Sequence, residues 1–418
     1  MANDKKYDLI IAGGGASGLY AARKAAAAGL RVLVLEKKER TGKKILITGN
    51  GRCNVSSLSV SAGSYPAPMR EFTAPALDAL PVQALMQEFA SIGVPLKARG
   101  EYLYPRSDQA SSVADALMLS ALEAGAEICT ESAVTQVRRN SRGFLVFTEN
   151  DSTPLAAETV LLACGSKAAP KTGSDGSGYA LAKSLGLPVR TVLPALTSLI
   201  CAEPLSKVWA GVRTSCSVTV TCGNMKAEDT GEIQLTSSGI SGIPVFQVSR
   251  LAVQSLAAGR KFQVSLNFLP DYDDVWLSKE AHRLVSGFGN RNIVQLLEGF
   301  FPKKLVQVFA RKLDISEKAP VSELGAEAVS RIFRLAEAFP VRVTGYSDFL
   351  QAQVCQGGVA REAVDPETMM AKKITGLFLA GELLDVDGPC GGFNLHWAWA
   401  SGSLAAESAV RFVRGNKS

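Results

Sequence analysis

The chain opens with an apolar run that stops in a cluster of glycines. Residues 8–18 read Asp-Leu-Ile-Ile-Ala-Gly-Gly-Gly-Ala-Ser-Gly, a helical run follows from Leu19 to Ala28, and a second apolar run ends at Glu36. Glycines permit a tight turn and let backbone N–H groups approach a pyrophosphate at a helix N-terminus, while the acid can accept both hydroxyls of a ribose. The pattern predicts a strand–helix–strand unit that binds a dinucleotide; a glycine-rich structural turn is the plain alternative. By itself the unit permits NAD, NADP or FAD.

The composition is that of an ordinary globular protein, with 47% hydrophobic and 20% charged residues over 418 positions, a length typical of about two to three domains. Lysines and arginines number 45 against 39 acids, and they occur in short pairs rather than in the long basic stripe that nucleic-acid binding requires. We therefore expect no nucleic-acid partner. The chain has neither an apolar leader nor a long apolar stretch, so we expect no membrane contact and a cytoplasmic location.

Cysteine and histidine usage argues against several kinds of site. The eight cysteines show no CxxC spacing and there are two histidines, so the sequence predicts no disulfide framework, no zinc ribbon and no Ser-His-Asp triad. No metal site is expected. Difficult electron-transfer chemistry would then fall to a bound organic cofactor.

A polar segment follows the first unit. Residues 48–54 read Thr-Gly-Asn-Gly-Arg-Cys-Asn and offer backbone donors, amides and one cation, Arg52, to the polar edge of a ligand. A surface turn is the alternative. So many polar residues directly after a nucleotide-binding acid favour contact with a ring or a phosphate.

Residues up to 193 continue the first pattern. They predict an amphipathic helix from Ala110 to Leu122, a hairpin over 133–148, and a buried strand that ends at Gly165. The last of these places a second strand end near the nucleotide crevice.

The periodicity changes twice in the middle of the chain. Residues 194–270 alternate like short strands, residues 271–340 are helical, and residues 341–418 return to the first pattern. In this last segment an apolar strand ends at Gly381 and Glu382, and a second glycine turn opens a helix whose positive end can stabilise charge on a bound ring. We predict one sheet built from both chain ends around a β-rich and a helical insert that wall the substrate cavity.

These motifs resemble the two-dinucleotide-binding-domain flavoproteins, and among them the bacterial BaiN-like or aminoacetone-oxidase-like NAD(P)/FAD-dependent oxidoreductases. The segments that carry the resemblance are 13–18, 48–54, 162–165, 170–178 and 376–401. They cover almost the whole chain. The resemblance implies an α/β fold in which a Rossmann-like FAD-binding domain, residues 1–193 and 341–418, carries a β-barrel-like insert and a helical insert.

The resemblance also implies FAD as the cofactor and assigns residues to it. Val134 would contact adenine through its backbone, and Glu36 would bind the adenosine ribose. The complete set of implied cofactor-binding residues is Gly13, Gly15, Ala16, Ser17, Glu36, Lys37, Lys44, Thr48, Gly49, Asn50, Gly51, Asn54, Val134, Ala163, Gly165, Gly381, Glu382, Gly391, Gly392, Phe393, Asn394 and Leu395. Cys355, Ala371 and His396 depart from the residues expected there, which points to an altered substrate side.

The function predicted from this resemblance is an FAD-dependent oxidoreductase that exchanges a hydride with a small organic substrate at flavin N5. NAD(P)H is the candidate reductant and would bind transiently, because no second GxGxxG marks a separate nicotinamide domain. The alternatives are a flavin monooxygenase, an amine oxidase that releases peroxide, and a non-catalytic flavin-binding protein such as a redox sensor or an RNA-modification partner. The sequence gives no signal for an oligomeric state.

Two residues are candidates for a catalytic role. His396 could act on a flavin carbonyl or the substrate, or be a packing residue beside two tryptophans. Arg52 could contact the cofactor or be a structural ion-pair partner. Cys53 and Cys390 are expected to pack as small buried residues, and no disulfide relay is predicted.

Overall fold

The computed structural model describes residues 6–151 and 153–416. The strands are β1 Lys6–Ala12, β2 Val32–Leu35, β3 Ser56–Ser57, β4 Leu96–Arg99, β5 Tyr102–Pro105, β6 Glu127–Cys129, β7 Val134–Asn140, β8 Gly143–Thr148, β9 Leu155–Leu162, β10 Leu193–Ala195, β11 Leu199–Cys201, β12 Arg213–Cys222, β13 Met225–Leu235, β14 Gly239–Gly242, β15 Gln263–Asn267, β16 Phe339–Val341, β17 Val343–Tyr346, β18 Val354–Gln356 and β19 Leu377–Leu379. The α-helices are α1 Ala16–Ala27, α2 Lys43–Ile47, α3 Arg70–Ala79, α4 Val82–Ser91, α5 Ala110–Glu123, α6 Ser177–Ser184, α7 Ser206–Trp209, α8 Ile243–Ala257, α9 Asp274–Phe288, α10 Ile293–Leu297, α11 Lys303–Lys312, α12 Val321–Glu337 and α13 Phe393–Gly415.

The chain forms two compact units. The first contains residues up to 193 and from 353 onward, and the second contains residues 194–352. The sequence predicts two separate inserts, residues 194–270 and residues 271–340, whereas contacts between residues group both segments into the second unit. The division of this unit into two inserts stays a prediction.

The first unit is built on a seven-stranded sheet. Its order is β6-β2-β1-β9-β8-β7, and β19 lies beside β9. The strands β6, β2, β1, β9 and β19 are parallel to their neighbours among these five, while β8 and β7 add an antiparallel hairpin. The predicted Rossmann-like α/β fold is confirmed.

The strand register places several predicted site segments at one edge of this sheet. Ala12 pairs with Leu35 on one side and Leu162 on the other, and Leu162 pairs with Leu379. The residues that follow these four strands therefore leave the sheet at the same edge. Ligands of open parallel sheets bind at this carboxyl edge, where neighbouring connections diverge.

The long C-terminal helix packs against the first helix of the same unit. A side chain at Gly402 of α13 would place its Cβ 2.5 Å from the carbonyl oxygen of Ser17 in α1. Glycine is needed there because the two helix backbones approach closely. The contact fixes α13 beside the turn that precedes α1.

The second unit contains a seven-stranded antiparallel sheet in the order β16-β15-β12-β13-β14-β11-β17. Helix α8 packs against β12 and β13, and the helices α9 to α12 follow it in the chain. The strand-like interpretation of residues 194–270 missed α8, in which Val245, Val248 and Ala252 recur at helical spacing and are buried. The hydrophobic period of α8 is 3.6 rather than 2, and Pro244 occupies the first turn, where proline is tolerated.

Among the described helices, none is both long and apolar enough to cross a membrane.

Candidate functional site

The glycine turn between β1 and α1 has a different constraint at each of its three fingerprint positions. Gly13 has a φ of +108°, and a Cβ there would lie 2.5 Å from the Ala163 oxygen; a Cβ at Gly18 would collide with the Gly13 oxygen. Gly15, by contrast, has nothing within 4 Å of its Cβ position. The outer two glycines are thus required by the fold, while Gly15 and the N-terminus of α1 face open space that a ligand can enter.

Glu36 lies directly after β2 and is held by backbone donors. Its Oε2 accepts a hydrogen bond from Gly14 N at 2.9 Å, and its Oε1 accepts one from Lys38 N at 2.9 Å. Burial raises the pKa of this carboxyl, and the two hydrogen bonds oppose that rise. Each carboxylate oxygen keeps a second lone pair, so the predicted acceptance of ribose hydroxyls is chemically open.

Two further predicted residues lie near this acid. Ser132 N donates to the backbone carbonyl oxygen of Glu36 at 2.8 Å, which places the segment before Val134 beside Glu36. Lys37 forms an ion pair with Asp175 in the loop before α6. The adenosine end of the predicted site is therefore assembled from three separate segments of the chain.

Residues 48–54, which we call the arginine loop, adopt an unusual backbone. Gly49, Asn50, Gly51 and Cys53 all have φ between +54° and +80°. The loop is closed by Cys53 N donating to the Thr48 oxygen at 3.0 Å. The Cys53 side chain is fully buried, and burial raises the pKa of its thiol to about 12. Cys53 anchors the loop as a protonated thiol, in agreement with the packing role expected for it.

Asn54, at the end of the arginine loop, carries a buried acceptor with no partner. Within the described part of the chain, its Oδ1 has no hydrogen bond. A buried polar atom left unpaired costs about 1–3 kcal/mol, so a donor on a bound molecule would relieve a real penalty. The orphaned oxygen fits a cofactor edge that carries an N–H or O–H.

The second glycine turn holds the remaining predicted residues. Glu382 accepts from Lys44 Nζ at 2.6 Å and from Cys355 N at 3.0 Å, which joins two predicted cofactor residues. Gly381 donates its N–H to Ser401 Oγ at 2.9 Å. The ion pair brings α2 and the end of β19 together, although they lie more than three hundred residues apart in sequence.

Asn394 has a structural use at this turn. Its Oδ1 accepts from Gly388 N at 2.8 Å, and its Nδ2 donates to the oxygens of Gly388 and Pro389. The side chain therefore orders the loop that precedes α13. Contact with a cofactor through Phe393, Asn394 or Leu395 stays a prediction.

His396 lies in the protein interior. Its Nδ1 is 2.7 Å from Ser56 Oγ and its Nε2 is 2.9 Å from the Leu80 oxygen. Burial lowers the pKa of this imidazole to about 4, so it is neutral at pH 7, with Nε2–H donating to Leu80 and Nδ1 accepting from Ser56. Of the two roles left open by the sequence, these contacts favour packing, because both ring nitrogens are already used.

The other cysteines give no sign of a disulfide. All eight are free. Burial raises the pKa of Cys355 to about 11, and Cys390 Sγ lies 3.6 Å from Gln353 Oε1. The described residues also contain no group of three or more His, Cys, Asp or Glu side chains arranged to hold a metal ion.

Two tyrosines that sequence reasoning missed lie against the arginine loop and the second glycine turn. A side chain at Gly391 would collide with the Tyr102 ring, and one at Gly49 would lie 3.4 Å from Tyr104 Cε1. Both rings come from β5, on the face opposite the buried Leu103. The alternating Tyr-Leu-Tyr sequence signals such a strand, but nothing local signals which loops its tyrosines contact.

The described residues fit a flavin dinucleotide on three observations. Gly15 leaves open space at the N-terminus of α1, Glu36 retains free lone pairs after β2, and Asn54 presents a buried acceptor. The assignment of individual cofactor contacts stays a prediction.

Comparison with known proteins agrees with this architecture. The family model for the HI0933-like protein Rossmann domain matches residues 7–408. The chain is 41% identical to a 3-dehydro-bile acid delta(4,6)-reductase of Clostridium scindens over 96% of its length and 98% of that protein. It is 27% identical to a ribosomal RNA dihydrouridine synthase of Escherichia coli over 97% of its length and 98% of that protein. Among solved structures, an open flavocytochrome c3 fumarate reductase matches with a TM-score of 0.53 and 16% identity, over 98% of this chain and 79% of that one, which shows a shared fold.

Proposed function

Because the chain belongs to the HI0933-like Rossmann-domain family, we propose that it is an FAD-dependent reductase of a small molecule whose carbon–carbon double bond is conjugated with a carbonyl group. The prediction of an oxidoreductase is confirmed, since a named reductase aligns with 96% of the chain at 41% identity. This alignment is the observation that carries the proposal. The bile-acid substrate in the relative's name guides the choice of substrate class.

The proposed cofactor is FAD, which supplies a hydride donor of the kind that such a double bond requires. The residues that would hold it are Gly15 at the start of α1, Glu36, the Lys44–Glu382 pair, and Thr48, Gly49, Asn50, Gly51 and Asn54 of the arginine loop. Support comes from the open space at Gly15 and the unpaired Asn54 oxygen.

The chain's own ionisable groups favour a positioning role over acid–base chemistry. His396 is neutral and hydrogen-bonded at both nitrogens, and the Cys53 and Cys355 thiols are protonated at neutral pH. These groups therefore neither carry a mobile proton nor act as thiolates near pH 7.

We propose NADH or NADPH as the reductant and the cytoplasm as the location.

A second candidate function is reduction of uridine in ribosomal RNA. The 27% identical relative favours it, and so do Lys97 and Arg99, which stand beside Tyr102 and Tyr104 on one face of the β4–β5 hairpin. A cation next to half-buried aromatic rings suits single-stranded nucleic acid as well as a small anion. The lower identity and the absence of a long basic stripe in the sequence place it second.

Anaerobic reduction of the purified flavoprotein distinguishes these functions. We expect a yellow protein that NADH or NADPH bleaches and that a 3-oxo-Δ4 bile acid reoxidises with loss of the enone absorbance. Peroxide release with amines would assign an amine oxidase instead, and dihydrouridine formed in ribosomal RNA would assign the second candidate. Full-length protein without bound flavin after saturation with FAD would refute the proposal.

A further inference from the structure

We propose that Arg52 binds an anionic group of the substrate, a carboxylate in the case of a bile acid, and thereby selects acids over neutral analogues. This inference rests on the proposed function, because it names the substrate feature that the reductase recognises. It assigns a specificity-determining role to a residue for which the sequence left an ion-pair partner and a cofactor contact open.

The backbone of the arginine loop presents Arg52 outward on a fixed support. Arg52 N donates to the Gly49 oxygen at 3.2 Å, and the next residue, Cys53, is buried with a φ of +59°. The buried Cys53 side chain and the two backbone hydrogen bonds to Thr48 and Gly49 restrict the loop. The exposed guanidinium thus projects from a loop that loses little entropy when a ligand binds.

Arg52 is not used as an ion-pair partner in the described structure. Its guanidinium has no hydrogen bond or ion pair to any residue in 6–151 or 153–416. The nearby carboxylate of Asp108 is already shared by Lys97 Nζ at 2.5 Å and Arg99 Nη2 at 2.6 Å. The positive charges of Lys97, Arg99 and Arg52 all lower the pKa of the Asp108 carboxyl, so three cations act on one carboxylate and the local charge is positive.

The aromatic neighbours of Arg52 suit an apolar body attached to the anion. The Arg99 guanidinium lies 5.6 Å from the centre of the Tyr104 ring. Burial raises the pKa of the Tyr104 hydroxyl, and the positive charges of Arg99 and Arg52 oppose that rise, so Arg52 lies within electrostatic range of this hydroxyl. Tyr104 lies against Gly49 and Tyr102 lies against Gly391, so both rings touch glycine turns of the proposed cofactor site. A ligand that contacts the rings and ends at Arg52 would be apolar with one charged end.

The chemistry of the guanidinium identifies the group it would bind. Its planar fork pairs with the two oxygens of a carboxylate through two parallel N–H···O hydrogen bonds. Both ion pairs of Asp108 use its Oδ2, its buried Oδ1 has no hydrogen bond within the described residues, and Arg52 forms no ion pair with either oxygen. A partner carried by the substrate is therefore favoured over this protein group. Contact with a cofactor phosphate is the rival that the experiment must separate.

The test compares a 3-oxo-Δ4 bile acid with its methyl ester, using flavin-loaded wild type, Arg52→Ala and Arg52→Lys. Arg139→Ala, on the exposed part of β7, is the matched control for loss of one surface arginine. We expect the ratio of KM for the acid to KM for the ester to rise about tenfold in Arg52→Ala, less in Arg52→Lys, and not in Arg139→Ala. High salt should raise KM for the acid in wild type more than in Arg52→Ala.

Calorimetric binding of a saturated bile acid provides a readout that does not depend on turnover. We expect Arg52→Ala to weaken this binding about tenfold while flavin absorbance per protein is unchanged. An equal effect on acid and ester, or unchanged binding of the saturated acid, would overturn the inference. Loss of flavin from Arg52→Ala would also overturn it, in favour of a cofactor contact. If wild type binds the acid through Arg52 but reduces no enone, the proposed function fails and the anion site remains.

Discussion

Replacing Gly15 with alanine should separate cofactor binding from folding. The Cβ of the new residue would have no protein atom within 4 Å, and the φ of −84° at this position is ordinary for alanine. Alanine caps a helix less well than glycine, but it also restricts the unfolded chain, so we expect the free energy of unfolding of the apoprotein to change by less than about 1 kcal/mol.

The effect on cofactor binding should be larger than the effect on folding. The added methyl group occupies the space that the glycine leaves for a pyrophosphate at the start of α1. Forcing a methyl group into a packed contact costs about 1–3 kcal/mol, which corresponds to roughly five- to 150-fold weaker FAD binding.

The assay is a pair of measurements on protein stripped of flavin. Denaturant unfolding reports the free energy of unfolding, and titration with FAD reports its dissociation constant. Gly18→Ala is the matched control, because its Cβ would collide with the Gly13 oxygen and should destabilise the fold itself. Wild-type affinity for FAD in Gly15→Ala, or severe destabilisation of its apoprotein, would refute our assignment of this open space to the cofactor.

Three further predictions concern buried or polar groups of the first unit. Glu36→Arg should reduce flavin occupancy at least about tenfold, because it removes the ribose acceptor and leaves the N–H groups of Gly14 and Lys38 facing a cation instead of a carboxylate. Unchanged flavin absorbance per protein would contradict this. The pKa of His396 is about 4 when folded against 6.5 ordinarily, so the unfolded chain takes up this proton first as pH falls, and stability is lost between about pH 6.5 and 4. Denaturant unfolding at pH 7.5 and 5 should show a loss of about 2 kcal/mol that His396→Gln largely removes; an identical pH dependence in the variant would count against it. A thiol reagent should modify the exposed Cys129 before the buried Cys53, and mass mapping that finds Cys53 first would show that the arginine loop opens readily.

Local patterns in the sequence predicted the parts of the fold that depend on neighbouring residues. The strand–helix–strand unit from β1 to β2 is recognisable because its hydrophobic period, its glycines and Glu36 all lie within about thirty residues. The helix α5 was predicted to within one residue of its end for the same reason. In contrast, α8 was missed because its surroundings alternate like strands.

Contacts between distant segments could not be predicted from such patterns. His396 binds Ser56 and Leu80, which precede it by more than three hundred positions, so its neutral, buried state has no local signal. The same holds for Tyr102 over Gly391, and for the Asn394 side chain, whose role in ordering a loop looks identical in sequence to a ligand contact. The sequence does indicate that the arginine loop and the second glycine turn contain more glycines and amides than a surface turn needs.

The division of the first unit between the two ends of the chain has a consequence for synthesis. β9 can pair with β19, and α1 can pack against α13, only after residues 194–352 have been synthesised. At about 5–20 residues per second, the synthesis of residues 194–352 alone takes roughly 8–32 s. The contiguous second unit can fold within that interval, while the nascent first unit exposes the edge of β9 and the apolar side of α1. We therefore expect cofactor loading to be a late event, and aggregation of the nascent chain to begin at the part that we propose binds the cofactor.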